Sequence, residues 1–423
     1  MWRTRIGPIS GVIALLLVFW LVPEVESYFD EPADASQNDC GKRGQAEDPI
    51  YKPRPYYEGK VLNIRLTDEG SFVDRCELTN VLFELNWDRP RRADNEPRPI
   101  ESSHATSLPK LVILYIHGWK HDVSASDSDY INFQNLITKL SASNLGGKQV
   151  LGIYVGWNAK SKIPPFDRFP LDNITFWSKQ TIADRIAQSG SVSKIVGAIS
   201  SVLSDKYSSE NQFIAIGHSF GSRILFSATS QSFIYNVAKA HPGYQGGRYE
   251  LISGIANAVI LLNPAFEASR YVALDATTRS KERFSDAQQP LLLSVSSDGD
   301  WATRFAFPAG QWLALYRAET QRTTIGNFPD FKTHTLELAG TGICERAETD
   351  GLSEHFIAGG LCLSRDSVPN NQDQVIQERN PFLIARTTSE IIQNHNDVWN
   401  ERFSMWLFAY IKELGDQQRP RRM

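Results

Sequence analysis

Runs of continuous apolar residues alternate along this chain with segments whose apolar positions recur every three or four residues. Leu111 to Trp119 (LVILYIHGW), the run QVLGIYVGW ending at Trp157, QFIAIGHS ending at Ser219, NAVILLNPAF ending at Phe266 and PLLLSVSS ending at Ser297 are β-type runs. Between and after them, YINFQNLITKLSASN, IADRIAQSGSVSKIVGAISSVLSDK, SRILFSATSQSFIYNVAKA and DVWNERFSMWLFAYIKEL carry helical spacing. Apolar strands without a polar face, separated by amphipathic helices, predict a mainly parallel sheet covered on both faces, an α/β fold. Upstream, KVLNIRL and NVLFELNW read as the first two strands. Residues 59–418 form one unbroken series and are expected to be one domain. Two stretches are too long for simple connections, 158–177 and 305–379, and are expected to be lid-like or substrate-binding insertions.

The N-terminal segment stands outside this pattern. Arg3 and Arg5 precede Gly11–Val22, an uninterrupted apolar run. It is shorter than the roughly 20 residues that span a bilayer comfortably. Residues 1–27 therefore read as a signal peptide or, alternatively, a retained anchor that would associate the protein with a membrane. Either places the rest outside the cytoplasm, periplasmic or secreted. Residues 28–58 are polar and read as a linker or arm.

The four cysteines agree with export. They fall as two local pairs, and Cys40–Cys76 and Cys344–Cys362 are the favoured bridges among three connectivities. No Cys-x-x-Cys or His-rich cluster supports a zinc site, so no metal is expected. With 41% hydrophobic residues, 22% charged and a formal net charge of -4, the composition is that of a globular protein and offers no basic surface for nucleic acid.

Gly217-His218-Ser219-Phe220-Gly221 lies between a β run and a helical segment. A nucleophilic serine at a strand-to-helix turn needs small neighbours, because strand and helix must approach closely there. It also needs a base and a carboxylate to orient that base. His395, in a polar loop before the last helix, is the preferred base. His334 shares a face with Leu336 and Leu338, and His355 lies between the two late cysteines. Asp300 is the preferred acid, with Asp298 and Glu267 as alternatives. The N–H groups of Phe220 and Trp119 are the candidate oxyanion donors, the second following the His117-Gly118 step. His117, His121 and His218 read as packing residues. Trp119, Trp157, Trp177 and Trp301 are candidate pocket walls or core.

In this order His117-Gly118-Trp119, Gly217 to Gly221, Asn263-Pro264-Ala265-Phe266, Asp300 to Thr303 and His395-Asn396-Asp397 resemble the α/β-hydrolase superfamily, in particular uncharacterised bacterial esterase/lipase-like serine hydrolases. The resemblance implies a Ser219–Asp300–His395 triad, no metal and no organic cofactor; it does not name a substrate, and a small-molecule or lipid ester is the leading expectation. The same triad would serve an acyltransferase or a peptidase. A catalytically silent binding protein on this fold is the alternative from another class.

Overall fold

The computed structural model describes residues 60–86, 109–143, 145–160, 175–204, 210–240, 250–278, 284–313, 318–341, 344, 351–366 and 377–416. The expected signal or anchor, the arm with Cys40, and most of the first long connection lie outside the described residues.

Among the described residues, ten strands form one sheet in the order β1-β3-β2-β4-β5-β6-β10-β7-β9-β8. The strands are β1 (Val61–Arg65), β2 (Lys110–Ile116), β3 (Gln149–Gly156), β4 (Gln212–His218), β5 (Ala258–Leu262), β6 (Leu292–Ser297), β7 (His334–Leu338), β8 (His355–Ala358), β9 (Leu361–Arg365) and β10 (Phe382–Thr387). Every neighbouring pair from β1 to β7 is parallel, whereas β9 runs antiparallel to both β7 and β8. The longer helices are α1 (Arg75–Asn86), α2 (Ser128–Ala142), α3 (Thr175–Gln188), α4 (Ser191–Ser204), α5 (Phe220–Ala240) and α6 (Glu401–Asp416). The sheet is mixed, mostly parallel and flanked by helices, an α/β architecture.

Alternate residues of β2 show why both faces must be covered. Val112, Leu114 and Ile116 join one buried cluster, with Ile195 and Ile199 of α4 and Phe226 of α5. Leu111, Ile113 and Tyr115 join the other, with Phe133 and Ile137 of α2 and Trp406 and Tyr410 of α6. Continuous apolar strands are the sequence form of this double burial.

Three elements depart from the sequence reading. The run NVLFELN of NVLFELNW is not a strand but lies in α1. Its buried positions Leu78, Val81 and Leu85 follow helical spacing, and Asp74 Oδ1 accepts the Cys76 N–H at 2.8 Å near the helix start. A short apolar run cannot by itself distinguish the two periods. The long helical stretch after Thr175 is two helices, broken at Gly190 with φ +78°. The stretch 305–379 contributes β7, β8 and β9 to the sheet, and the Cys344–Cys362 disulfide attaches the segment before β8 to β9. Cys76 is also disulfide-bonded, and its expected partner Cys40 lies outside the described residues. The disulfide at 344 fits an exported protein. Among the described residues no helix is long and apolar enough to cross a membrane.

The strand order reverses at β2: β3 lies on one side of it and β4 on the other. Ligand crevices of open α/β sheets form outside the strand C-termini at such a point. The register aligns these ends, pairing Ile116 with Gly217, His218 with Leu262, and Thr387 with Ser297. Close approach is strictest at Gly221, where a Cβ would lie 2.1 Å from the Ile116 carbonyl oxygen and 2.7 Å from that of His117. At Gly197, inside α4, an added methyl would meet nothing within 4 Å. Gly221→Ala should therefore cost about 2–3 kcal/mol through overpacking against backbone. Gly197→Ala should add about 0.5–1 kcal/mol of helix propensity. Urea unfolding of both variants reads this opposite pair of effects.

Candidate active site

Ser219 follows β4 and forms the turn into α5 with φ +55°, left-handed backbone that a serine adopts only when its surroundings compel it. Those surroundings are explicit. Its N–H donates to the Leu262 carbonyl at 3.0 Å, and its own carbonyl accepts from Ser222, Arg223 and Ala265. Phe220, the first residue of α5, has no intrahelical acceptor for its N–H. The side chain of Phe220 is buried beside Phe176, and Phe176 packs edge-on against Trp119. Gly118 passes close to the turn: a Cβ there would lie 2.8 Å from Ser219 Cβ.

The loop after β10 brings His395 to this turn. His395 Nε2 lies 2.6 Å from Ser219 Oγ, and Nδ1 lies 2.7 Å from Asp300 Oδ2. A carboxylate only accepts, so Nδ1 carries the proton and Nε2 accepts from the serine hydroxyl. Asp300 follows β6 and is fully buried. Its carboxylate also accepts the Thr303 N–H at 3.1 Å and the Thr303 hydroxyl at 2.7 Å. Burial alone would raise the Asp300 pKa, but the charge and hydrogen bond of His395 and the two Thr303 bonds outweigh it and hold the pKa below the usual value.

The alternative acids lie elsewhere. Asp298 Oδ1 accepts the Ser389 N–H at 2.6 Å, which ties the loop after β6 to the one after β10. Glu267 belongs to an ion cluster. Arg223 of α5, only 2% exposed, donates twice to Asp184 of α3, at 2.6 and 2.7 Å, and at 3.0 Å to Glu267. Arg270 bonds both carboxylates as well.

The pocket tryptophans separate into different roles. Trp157 is not a pocket wall, because it is fully buried. Its Nε1 donates to the His117 carbonyl at 2.9 Å, its N–H donates to His117 Nε2 at 3.1 Å, and the two rings stack. Trp119 is nearly buried, and Trp177 packs partly buried against the core. Trp301 is 64% exposed beside Asp300. His117 fixes the β2 end; burial first of all lowers its pKa to about 4 and keeps it neutral. His334 lies in β7 and hydrogen-bonds the Ser353 carbonyl, and His355 lies in β8.

Two positioning residues were not assigned this role from the sequence. Asn263 Nδ2 and His218 Nε2 both donate to the His395 carbonyl, each at 3.0 Å. Asn263, at φ +40°, also accepts the Ser297 N–H. An Asn directly after a buried strand was the available signal, since Asn tolerates left-handed backbone. His218 could not be assigned a partner 177 residues away.

No protein-family model matches the chain, and no curated protein matches it by sequence. Among solved structures it is similar to phospholipase PlaB from Legionella pneumophila, in complex with thio-NAD, at 14% identity and a TM-score of 0.25, over 71% of this chain and 58% of that one. The chain thus spans less than two thirds of that neighbour's length.

The Arg223 cluster yields a prediction with a definite sign. Burial raises the pKa values of Asp184 and Glu267, but Arg223 and Arg270 reverse this and hold both below their ordinary values. Depressed carboxylates stabilise the fold above their unfolded pKa of about 4, and that contribution is lost as pH falls through the folded values. Arg223→Met should cost about 3 kcal/mol at pH 7, because it removes the buried guanidinium and leaves Asp184 and Glu267 paired through Arg270 alone. The difference from wild type should shrink below about pH 4, read by urea unfolding at a series of pH values.

Proposed function

We propose that this protein is an exported serine hydrolase of the α/β-hydrolase fold that cleaves carboxylic esters. The observation that carries the reading is the continuous hydrogen-bond path from Ser219 Oγ through His395 to Asp300, at the strand C-termini beside the sheet's reversal point. The left-handed Ser219 supports it too, because strain persists only where the surrounding packing enforces it.

The chemistry follows from the atoms. Ser219 Oγ attacks the ester carbonyl carbon while His395 Nε2 takes the hydroxyl proton. Asp300 holds the Nδ1–H tautomer and balances the imidazolium charge without itself taking the proton. The tetrahedral oxygen is received by the N–H groups of Phe220 and Trp119. The former is free of helix bonding, and the latter makes no backbone hydrogen bond among the described residues, so both are available as donors. His395 returns its proton to the leaving alkoxide. Water then repeats the sequence on the acyl-serine, and the acid and free serine are released. An ester carrying an apolar acyl group suits the aromatic surroundings of Trp119, Phe176 and Trp301.

A fluorophosphonate probe should label the wild type and not Ser219→Ala. Labelling that persists in the mutant would falsify the assignment of the nucleophile, and no labelling of folded wild type would favour the silent binding protein. Hydrolysis in the presence of a competing alcohol or amine separates ester cleavage from acyl transfer. Asn263→Ala should lower kcat roughly 10- to 100-fold with KM little changed, because it loosens the base without touching substrate. A kcat equal to wild type would show that the His395 carbonyl needs only His218.

A further inference from the structure

Behind the His395 loop, three side chains from separate elements converge. His121 follows the β2 end, Asp129 stands in the first turn of α2, and His218 is the last residue of β4. One potential ligand atom from each lies within 4.8 Å of the others. Asp129 and His218 are buried, and the His121 side chain is 12% exposed.

The hydrogen bonds around this trio orient it. His121 Nδ1 lies 3.0 Å from Asp127 Oδ1, so Nδ1 carries a proton and Nε2 keeps its lone pair. His218 Nε2 donates to the His395 carbonyl, which leaves Nδ1 with its lone pair. That Nδ1 is buried and makes no hydrogen bond among the described residues. An unpaired buried acceptor costs free energy unless something fills the space. The Asp129 carboxylate is braced by the Tyr115 hydroxyl at 2.7 Å and by Trp399 Nε1. A carboxylate behind one imidazole, a carbonyl behind the other and donors on the carboxylate form the supporting shell that metal ligands use. Asp127 is itself fixed by Lys160 at 2.8 Å and by the α2 N-terminus. Gly118 keeps the space clear: a Cβ there would lie 2.9 Å from His218 Nδ1.

We propose that His121 Nε2, an Asp129 carboxylate oxygen and His218 Nδ1 bind a divalent transition metal, zinc by preference. Two imidazoles and one carboxylate suit zinc better than calcium or magnesium, which take oxygen ligands. Ligands around tetrahedral zinc stand about 3.3–3.5 Å apart, so small side-chain rotations would close the trio on the ion. The ion's role is structural. It would join the β2 loop, α2 and the end of β4, and polarise the His218 Nε2–H that holds the His395 carbonyl. Sequence reading expected no metal because the ligands are scattered over 98 positions and form no local motif.

Metal content of the full-length protein purified without chelator, and cobalt uptake followed by its visible spectrum, test this. Wild type should hold about one equivalent of zinc or cobalt, and its Tm should fall with chelator and recover with zinc. Ser219→Ala should bind the same amount, so the metal result is independent of the hydrolase reading. His121→Gln, at the most exposed of the three positions, should weaken cobalt binding by at least about 10-fold. His218→Gln should do the same. No metal taken up by folded wild type, or equal uptake by wild type and His121→Gln, overturns the site.

Discussion

The turn between β4 and α5 is the constraint on which the rest of this structure depends. Ser219 cannot hold a left-handed backbone by itself. It is held by bonds to Leu262 and Ala265 on the neighbouring strand's end and by a helix pressed against the β2 carbonyls at Gly221. The strain, of order 1–3 kcal/mol, is thus spread over three strands. Those strands are buried on both faces, and their hydrogen-bonded register allows no slippage. A serine on a looser turn would drop below the sheet edge, out of reach of the loop after β10.

The same rigidity explains how His395 is held. Asn263 and His218 hold His395 by its backbone carbonyl, and the His218 ring lies 5.3 Å from the His395 ring. Ser297 and Asp298 then tie the β6 and β10 loops together through Ile392 and Ser389. The imidazole is thereby positioned by its main chain, with Nε2 facing Ser219 Oγ. Asp300 is held in turn by Thr303 at the start of a short helical turn.

How much of this was legible follows from the kind of signal each feature leaves. The central parallel strands and their helices were legible because double burial writes continuous apolar runs. The β4–α5 turn was legible because Gly217 and Gly221 answer a steric demand at fixed spacing. The strand-to-helix misreading at α1 arose where eight residues could satisfy either period. β10 escaped notice because FLIART is short and follows a polar stretch, and β8 and β9 lie within a stretch that read as an insertion. His395 and Asp300 could be chosen by chain order. Asn263, His218 and the Asp184–Arg223–Glu267 cluster could not, because their partners are distant in sequence and depend on the completed fold.

Burial sorts the histidines by chemical capacity. His117, His218 and His334 are fully enclosed, and burial first of all brings each pKa down to about 4. Their hydrogen-bond partners are backbone groups or a hydroxyl, so an added proton would find no carboxylate bonded to the ring. They serve as neutral donors and acceptors at neutral pH. His395 differs on both counts: its ring reaches solvent at one edge and a buried carboxylate stands on Nδ1. Among these four, only His395 has a carboxylate hydrogen-bonded to its ring, and it is the one within reach of Ser219. The fold therefore discriminates between chemically identical side chains by dielectric and counter-charge, and it does so within one hydrogen bond, since His218 donates directly to the His395 backbone.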